Sequence, residues 1–106
     1  MSDPIRPENI DPLIHERVRL SIVSALAVAA EMSFRELKDA LDLTDGNLSA
    51  HATKLEAAGY IRIRKAFAGR RPLTTMSLTA KGRRAFEKYL ATLRNIVDRG
   101  EKAGRP

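Results

Sequence analysis

The sequence predicts a mostly helical α+β domain, in which three helices precede a two-stranded β-hairpin and a fourth helix follows it. Apolar residues recur at helical spacing before Gly59, alternate with polar residues just after it, and return to helical spacing beyond Thr79. These patterns fall within residues 11–99, and the full length of 106 residues is that of a single domain. We expect residues 1–10 to form a flexible arm and residues 100–106 to be frayed, since neither segment has a periodic pattern.

The first helix is predicted over residues 12–30, with Asp11 as its N-cap and Pro12 at the first helical position. One apolar stripe consists of Ile14, Val18, Ile22, Ala25 and Leu26. A second stripe, on nearly the opposite side, consists of Leu13, Leu20 and Ala27. A helix with two apolar faces buries both of them, so the second stripe is predicted to lie at a subunit interface.

Two further helices are predicted on either side of a tight turn. Ser33-Phe34-Arg35-Glu36 is a capping box, which begins a short helix that ends near Leu41. Thr44 is the N-cap of a helix over residues 44–58, and Gly59 occupies the position of a left-handed C-cap. Two helices joined by a turn of three or four residues are typical of a helix-turn-helix unit.

The chain after the third helix is predicted to form a hairpin. Tyr60 to Arg64 alternate between apolar and basic residues, as in a half-buried strand, and Leu73 to Leu78 have the composition of a partner strand. Residues 66–72 contain Gly69 and Pro72 and are therefore predicted to form a long, basic tip.

Thr79 is predicted to cap the last helix, which has two apolar faces of its own. One face consists of Phe86, Leu90, Leu93 and Val97. The other consists of Gly82, Tyr89 and Ile96, at a spacing of seven residues. We expect this element to be a dimerisation helix, with Tyr89, Leu93 and Ile96 among the residues at the interface.

Basic residues are concentrated in the second half of the chain. The net charge is +6, and residues 60–106 contain 13 Lys and Arg but only 3 Asp and Glu. From Arg62 to Arg84 there are 8 basic residues and no acidic one. This distribution favours a surface that binds a polyanion, although a generally solvated basic face would have the same composition.

Several classes of function lack the residues that they require. The chain has no cysteine, which excludes disulfides and thiolate metal sites, and His15 and His51 lie too far apart in sequence to suggest a metal site. Ser49 and His51 point in different directions on a helix, so we expect neither catalysis nor a cofactor. The longest apolar run, residues 25–30, is too short to cross a bilayer, and the acidic N-terminus resembles no export signal, which predicts a cytoplasmic location.

The third helix has an outward face suited to DNA. Its inward residues are predicted to be Leu48, Ala52 and Leu55. The outward residues are then Gly46, Asn47, Ala50, Thr53 and Lys54, with Ser49 and His51 on the flanks. Short side chains allow a helix to approach base edges in the major groove, where asparagine pairs with adenine. Thr44, Ser49 and the free N–H groups of the first turn can hold phosphates.

Five motifs, taken in order, resemble those of a known group of regulators. They are Gly46-Asn47-Leu48-Ser49-Ala50-His51, Leu55-Glu56-Ala57-Ala58-Gly59-Tyr60-Ile61, Gly69-Arg70-Arg71-Pro72, Thr74-Thr75 and Leu78-Thr79-Ala80-Lys81-Gly82. Over about residues 11–97 the chain resembles winged helix-turn-helix transcriptional regulators of the MarR-like and ArsR-like group, especially their short winged-helix DNA-binding domains. Ala52 departs from the leucine that relatives commonly have at that position.

The resemblance implies a homodimer that binds double-stranded DNA, with helix 44–58 in the major groove and the wing, residues 64–74, at the minor groove. In this arrangement Arg70 or Arg71 of the wing enters the minor groove. The predicted DNA-binding set consists of Ser33, Arg35, Thr44, Gly46, Asn47, Ser49, Ala50, His51, Lys54, Arg64, Lys65, Arg70 and Arg71.

Three alternatives stay open at this point. His51 could brace the second helix instead of contacting a phosphate, and the wing arginines could be solvated loop charges. A winged helix can also serve as a protein–protein module within a larger assembly, in which case its basic face would be incidental. The sequence identifies neither a small-molecule effector nor an operator.

Overall fold

The computed structural model describes residues 4–104 and confirms the predicted fold class. The helices are α1 (Arg17–Val28), α2 (Phe34–Leu41), α3 (Asp45–Ala57) and α4 (Ala80–Ala103), with a short 3-10 helix at Pro7–Asn9. The strands are β1 (Met32–Ser33), β2 (Ile61–Ala68) and β3 (Arg71–Leu78). They form one antiparallel sheet in the order β1, β3, β2.

The first helix begins at Arg17, five residues later than predicted, because two acidic side chains cap different structures. The Asp11 carboxylate accepts hydrogen bonds from the N–H groups of Leu13 and Ile14, at 2.9 and 3.3 Å, and so closes a turn instead of starting a helix. Glu16 has an extended backbone and is the actual N-cap of α1. The helix also ends at Val28, before the predicted end at residue 30.

A third strand, β1, joins the start of α2 to the hairpin. Met32 pairs with Met76 and Ser33 pairs with Thr75, so β1 lies on the free side of β3. This strand was not predicted, because two residues are too few to show an alternating pattern. The pairing ties the capping box at Ser33, which is confirmed with both of its hydrogen bonds, to the base of the wing.

The hairpin differs from the prediction at its tip, where the expected long loop is absent from the described structure. The strands continue to Ala68 and Arg71, and only Gly69 and Arg70 form the turn. Gly69 has a φ of +66°, a conformation that glycine adopts without strain. Pro72 is accommodated within β3 because β1 pairs only near residues 75–76, which leaves β3 as an edge strand at Pro72.

One apolar core unites the helices and the base of the sheet. The buried side chains are Ile14, Ile22, Val23, Leu26, Leu37, Leu48, Ala52, Leu55, Ile61, Met76, Phe86 and Tyr89. The inward face predicted for the third helix is confirmed, since Leu48, Ala52 and Leu55 are all members of this core. Gly59 has a φ of +79°, which confirms the left-handed C-cap after α3.

The N-terminal segment contacts α4, and α4 itself extends almost to the end of the described residues. Thr92 Oγ1 donates to the carbonyl oxygen of Asn9 at 3.3 Å, so part of the expected N-terminal arm lies against this helix. The helix itself continues past the predicted boundary at residue 99 as far as Ala103. Residues 1–3 of the expected arm and residues 105–106 of the expected tail lie outside the described residues.

The second apolar stripes predicted for the first and last helices are not free surfaces. Tyr89 is 2% exposed, and its hydroxyl lies 2.8 Å from His15 Nδ1, so it belongs to the core of its own chain and not to the predicted interface. Gly82 is buried as well, and only Ile96 of that stripe is exposed. The predicted interface residues of the first helix, Leu13, Leu20 and Ala27, pack partly against the same core.

The start of α4 passes so close to the start of β2 that only glycine fits at residue 82. A Cβ atom built on Gly82 would lie 2.0 Å from the carbonyl oxygen of Tyr60, which is main chain and cannot rotate away. We expect Gly82→Ala to lower the free energy of unfolding by about 2 kcal/mol, since overpacking a rigid contact costs this much despite the higher helix propensity of alanine.

Gly100→Ala is the matched control, because it lies in the same helix and its built Cβ meets no atom within 4 Å. It should leave stability unchanged or raise it by up to about 1 kcal/mol. Urea unfolding followed by circular dichroism measures both effects. Equal stabilities of the two variants would show that the contact between Gly82 and Tyr60 is not rigid.

Candidate nucleic-acid interface

The N-terminal half of α3 presents an open, polar surface. Thr44 caps the helix, and its hydroxyl oxygen accepts a hydrogen bond from the Asn47 N–H at 3.0 Å, as predicted. Gly46, Asn47 and Ala50 are exposed, and a Cβ built on Gly46 would meet no atom within 4 Å. The outward side of the first turns of this helix is therefore accessible from solvent.

A short, fixed turn sets the angle between α2 and α3. Asp42 has a φ of 52°, a left-handed conformation that aspartate tolerates better than most residues. Lys38 Nζ lies 2.9 Å from Asp45 Oδ1 and so joins the end of α2 to the first turn of α3. This ion pair offsets the negative charge that Asp45 places beside the candidate phosphate site. Lys38 was missed in the sequence, because it lies seven positions before Asp45 and on a different helix.

His51 faces α1 and not the outward side of α3. Its side chain is 18% exposed, and its Nδ1 lies 3.1 Å from Arg19 Nη1 and 3.5 Å from Glu16 Oε2. This geometry favours the bracing alternative, but the element that His51 contacts is α1 and not the second helix.

Arg19 and Glu16 complete a polar cluster between α1 and α3. The Arg19 side chain is 12% exposed, and its Nε donates to the carbonyl oxygen of Leu13 at 2.6 Å. Burial opposes ionisation of the Glu16 carboxyl. Hydrogen bonds from the backbone N–H groups of Arg19 and Val18, with the nearby His51 and Arg19 side chains, outweigh burial and lower the pKa of Glu16 below its ordinary value.

One face of the hairpin is turned towards α3. Lys65 and Thr74 are cross-strand partners, and together with Ser49 and Thr53 they line a cleft of about 600 Å³ between the wing and α3. Successive residues of a strand point to opposite faces. Arg64 therefore lies on the far face of the hairpin from Lys65, although both belong to the predicted DNA-binding set.

The remaining predicted residues fall into two groups. Arg70 and Arg71 are exposed at the hairpin turn, and Lys54 is exposed on α3. Ser33 and Arg35 lie at the start of α2, where the Ser33 hydroxyl accepts from the Glu36 N–H and Arg35 is exposed, 3.9 Å from Asp39. The structure thus brings Ser49 and Thr53 of α3 together with Lys65 of the wing around one cleft, and it separates His51 and Arg64 from them.

Two classes of site are absent from the part of the chain that the structure describes. Within residues 4–104 there is no group of three or more His, Asp or Glu side chains placed to hold a metal ion. None of the helices described is both long enough and apolar enough to cross a membrane.

Comparison with known proteins confirms the predicted family resemblance. The sequence pattern of the winged helix DNA-binding domain family matches residues 18–97. The structure of a transcriptional regulator homologue from Pyrococcus horikoshii OT3 is similar, with a TM-score of 0.77 and 31% sequence identity over 81% of this chain and 85% of that chain. An uncharacterized protein of Methanocaldococcus jannaschii is 40% identical over 73 residues, which are 69% of this chain and 79% of that protein.

A more distant structure contains DNA. The M. tuberculosis transcriptional regulator MOSR, solved in complex with DNA, has the same fold with a TM-score of 0.68 and 19% sequence identity, over 92% of this chain and 69% of that chain. The matched family and fold are those of DNA-binding transcriptional regulators and not of enzymes.

The Glu16 cap predicts a pH-dependent contribution to stability. Glu16→Ala should lower the free energy of unfolding by about 1 kcal/mol at neutral pH, which is the typical effect of losing an N-cap. The pKa of Glu16 is lower in the folded chain than in the unfolded chain, so its stabilising effect is present above the ordinary value of 4.5 and is lost as pH falls through the folded-state value. The difference between wild type and variant should therefore shrink below about pH 4.5.

Urea unfolding over an acidic pH series measures this difference. Glu31→Ala removes an exposed carboxylate and should behave like the wild type at every pH. A Glu16→Ala difference that stays constant down to the lowest pH would mean that the charge of Glu16 does not stabilise the α1 start.

Proposed function

Because this chain belongs to the winged helix DNA-binding domain family, we propose that it regulates transcription as a homodimer that binds a specific DNA sequence. One observation supports the mode of binding above all others. Ser49 and Thr53 of α3 and Lys65 of the hairpin line one open cleft, which supports contact of a single duplex with both elements. We also propose that the chain is MarR-like and cytoplasmic, which its likeness to a solved transcriptional regulator homologue supports.

In this proposal the N-terminal half of α3 enters the major groove. Asn47 is the residue that reads a base, because its amide can donate and accept against adenine at the same time. Gly46 and Ala50 flank it on the exposed surface and allow the backbone to come close to base edges. The Thr44 cap and the first-turn N–H groups lie where a phosphate would be stabilised by the helix dipole.

The wing supplies contacts that depend on charge more than on sequence. Lys65 faces the cleft. Arg70 and Arg71 lie at the turn, which is the end of the hairpin away from the core. None of these three appears in an ion pair with an acidic side chain in the described structure, so their charges are available to phosphates or to a narrow minor groove.

The homodimer part of the proposal depends on the second half of α4. Phe86 and Tyr89 point from α4 into the core, and the same side of the helix continues into an exposed apolar surface. This surface, which we call the α4 patch, consists of the exposed Leu90, Ile96 and Val97 and the half-buried Leu93. The helix is about 36 Å long at 1.5 Å per residue, so the patch extends beyond the core towards one end of a molecule whose long dimension is 62 Å.

Two copies joined through their α4 patches would form a symmetric dimer. A two-fold axis presents two α3 helices to a duplex, and such dimers bind half-sites in successive major grooves. The binding sequence would then be a pseudo-palindrome.

The DNA proposal is tested by the salt dependence of binding. A duplex selected from random DNA by the wild-type protein serves as the probe. Arg70→Ala and Arg71→Ala should each reduce the slope of log affinity against log salt by about one if the side chain neutralises one phosphate. Lys102→Ala removes an equally exposed positive charge at the far end of α4 and should leave the slope unchanged.

Fluorescence anisotropy of the labelled duplex at several salt concentrations gives these slopes. Identical slopes and affinities for the wild type and both arginine variants would argue against a DNA-binding wing. That result would instead support a role of this domain in protein assembly.

The dimer proposal predicts that charge in the α4 patch separates the subunits. Leu90→Glu combined with Val97→Glu places two carboxylates in the apolar surface, where pairing would desolvate them. We expect light scattering to give a mass of twice 11.8 kDa for the wild type and of one chain for this variant. Val28→Glu, at a residue that is 92% exposed and outside the patch, is the control and should remain dimeric.

A wild-type protein that is a single chain at micromolar concentration would contradict the dimer proposal. A dimeric double variant would show that the subunits meet at another surface.

A further inference from the structure

The wing carries a large apolar side chain that its own chain does not bury. Phe67 is 72% exposed, whereas Phe86 is buried and Phe34 is half-buried. Pro72 is its cross-strand partner, and both are exposed. We refer to Phe67 and Pro72 as the wing-tip pair.

The wing-tip pair lies on the side of the hairpin that faces α3. Residues opposite one another in the register share a face, and so do residues two apart along a strand. Phe67 is two residues beyond Lys65, and Pro72 is two residues before Thr74, which both line the cleft beside α3. The wing-tip pair is therefore the next pair outwards on that face, about 7 Å further from the core.

Positive charge surrounds the wing-tip pair on the same hairpin. Lys65 precedes it on its own face, and Arg70 and Arg71 follow it at the turn. An apolar protein surface that covered Phe67 would also have to desolvate these cations, which is costly unless each finds an anionic partner. A nucleic acid duplex supplies both requirements, because rows of phosphates border the sugar walls and stacked bases of each groove.

The backbone holds Phe67 in a fixed place. The strands pair without a bulge from Ile61 and Leu78 to Ala68 and Arg71, and a two-residue turn closes the hairpin. Pro72 has a restricted φ opposite Phe67. Little backbone freedom is left to lose when this side chain binds, which favours its use as a rigid contact.

From these observations we propose that Phe67 is an apolar wedge that enters the minor groove of the bound duplex, with Pro72 against the sugars and the adjacent basic side chains on the phosphates. Apolar side chains that insert at a base step in the minor groove partly unstack it and bend the duplex. The sequence preference of this wing would then come from how easily a base step opens, in addition to any contact by the arginines. This inference rests on the proposed DNA-binding function and assigns a role to a residue outside the charged set.

The test compares Phe67→Ala, Phe67→Leu and Arg70→Ala on one duplex. The probe is the duplex selected from random DNA by the wild-type protein, with 2-aminopurine replacing single adenines, because fluorescence of this base rises when its neighbours unstack. Val28→Ala is the matched control, since it removes an exposed apolar side chain on α1. Thermal unfolding verifies that all variants fold, as expected for exposed positions.

We expect Phe67→Ala to lower affinity by about tenfold, within the range measured for loss of one aromatic contact to a base, and to leave the salt slope unchanged. At saturating protein it should abolish a fluorescence rise that the wild type produces at one step in each half-site, and Phe67→Leu should retain part of that rise. Arg70→Ala should do the reverse, with a lower salt slope but the wild-type fluorescence rise at saturation.

Wild-type affinity and fluorescence for Phe67→Ala, alongside a salt slope that still depends on Arg70, would overturn the wedge and leave the proposed function intact. A change of mass in light scattering for Phe67→Ala without a change in DNA affinity would assign Phe67 to a contact between copies and would also overturn it. Absence of salt-dependent binding by the wild type would refute the proposed function itself.

Discussion

The whole interface depends on how α3 is held at its buried face. Leu48, Ala52 and Leu55 lie in the core, and this anchors the helix along one side only. The opposite side is left open for its full length. A helix used for recognition has to satisfy both conditions, because the precision with which it meets a duplex is set by the packing behind it.

Polar contacts then remove the remaining freedom of α3. The ion pair between Lys38 and Asp45 fixes its beginning against α2, and the cluster of Glu16, Arg19 and His51 holds its middle against α1. The cluster against α1 is partly buried and hydrogen-bonded, whereas Lys38 and Asp45 form an exposed ion pair. These polar contacts fix the orientation of α3 against α1 and α2. Apolar packing alone defines that orientation less well, because the hydrophobic effect is non-directional.

The helices and strands with a clear periodic pattern could be predicted from sequence. The predictions that were wrong have local causes. The caps at Ser33, Thr44 and Thr79 have short-range hydrogen bonds that the sequence displays directly. The start of α1 was wrong because Asp11 and Glu16 are both acceptable caps, and only tertiary packing decides between them. In general, an N-cap residue predicts the start of a helix correctly where no equally suitable cap lies nearby in the sequence.

The site was predictable in its charges but less so in its geometry. Arg70 and Arg71 stand out in the sequence, and alternation along the strand places Arg64 on the face opposite Ile61 and Ile63, but only the folded structure shows which face of the hairpin is turned towards α3. Phe67 gave no signal, because it lay within the predicted loop over residues 66–72 and was therefore assigned to no face of a strand. The contact between His51 and α1 joins residues more than thirty positions apart, and no pattern within one helix reveals such a contact.

The uninterrupted apolar side of α4 has a consequence for how the molecule holds together. Phe86 and Tyr89 seal the domain, and Leu90 and Val97 continue the same surface past the point where the domain ends. The first half of α4 would therefore stabilise the fold and its second half the dimer, within one continuous helix. A change that destabilised either half of α4 would affect the other half. The stability of the domain and the stability of the proposed dimer would therefore be coupled.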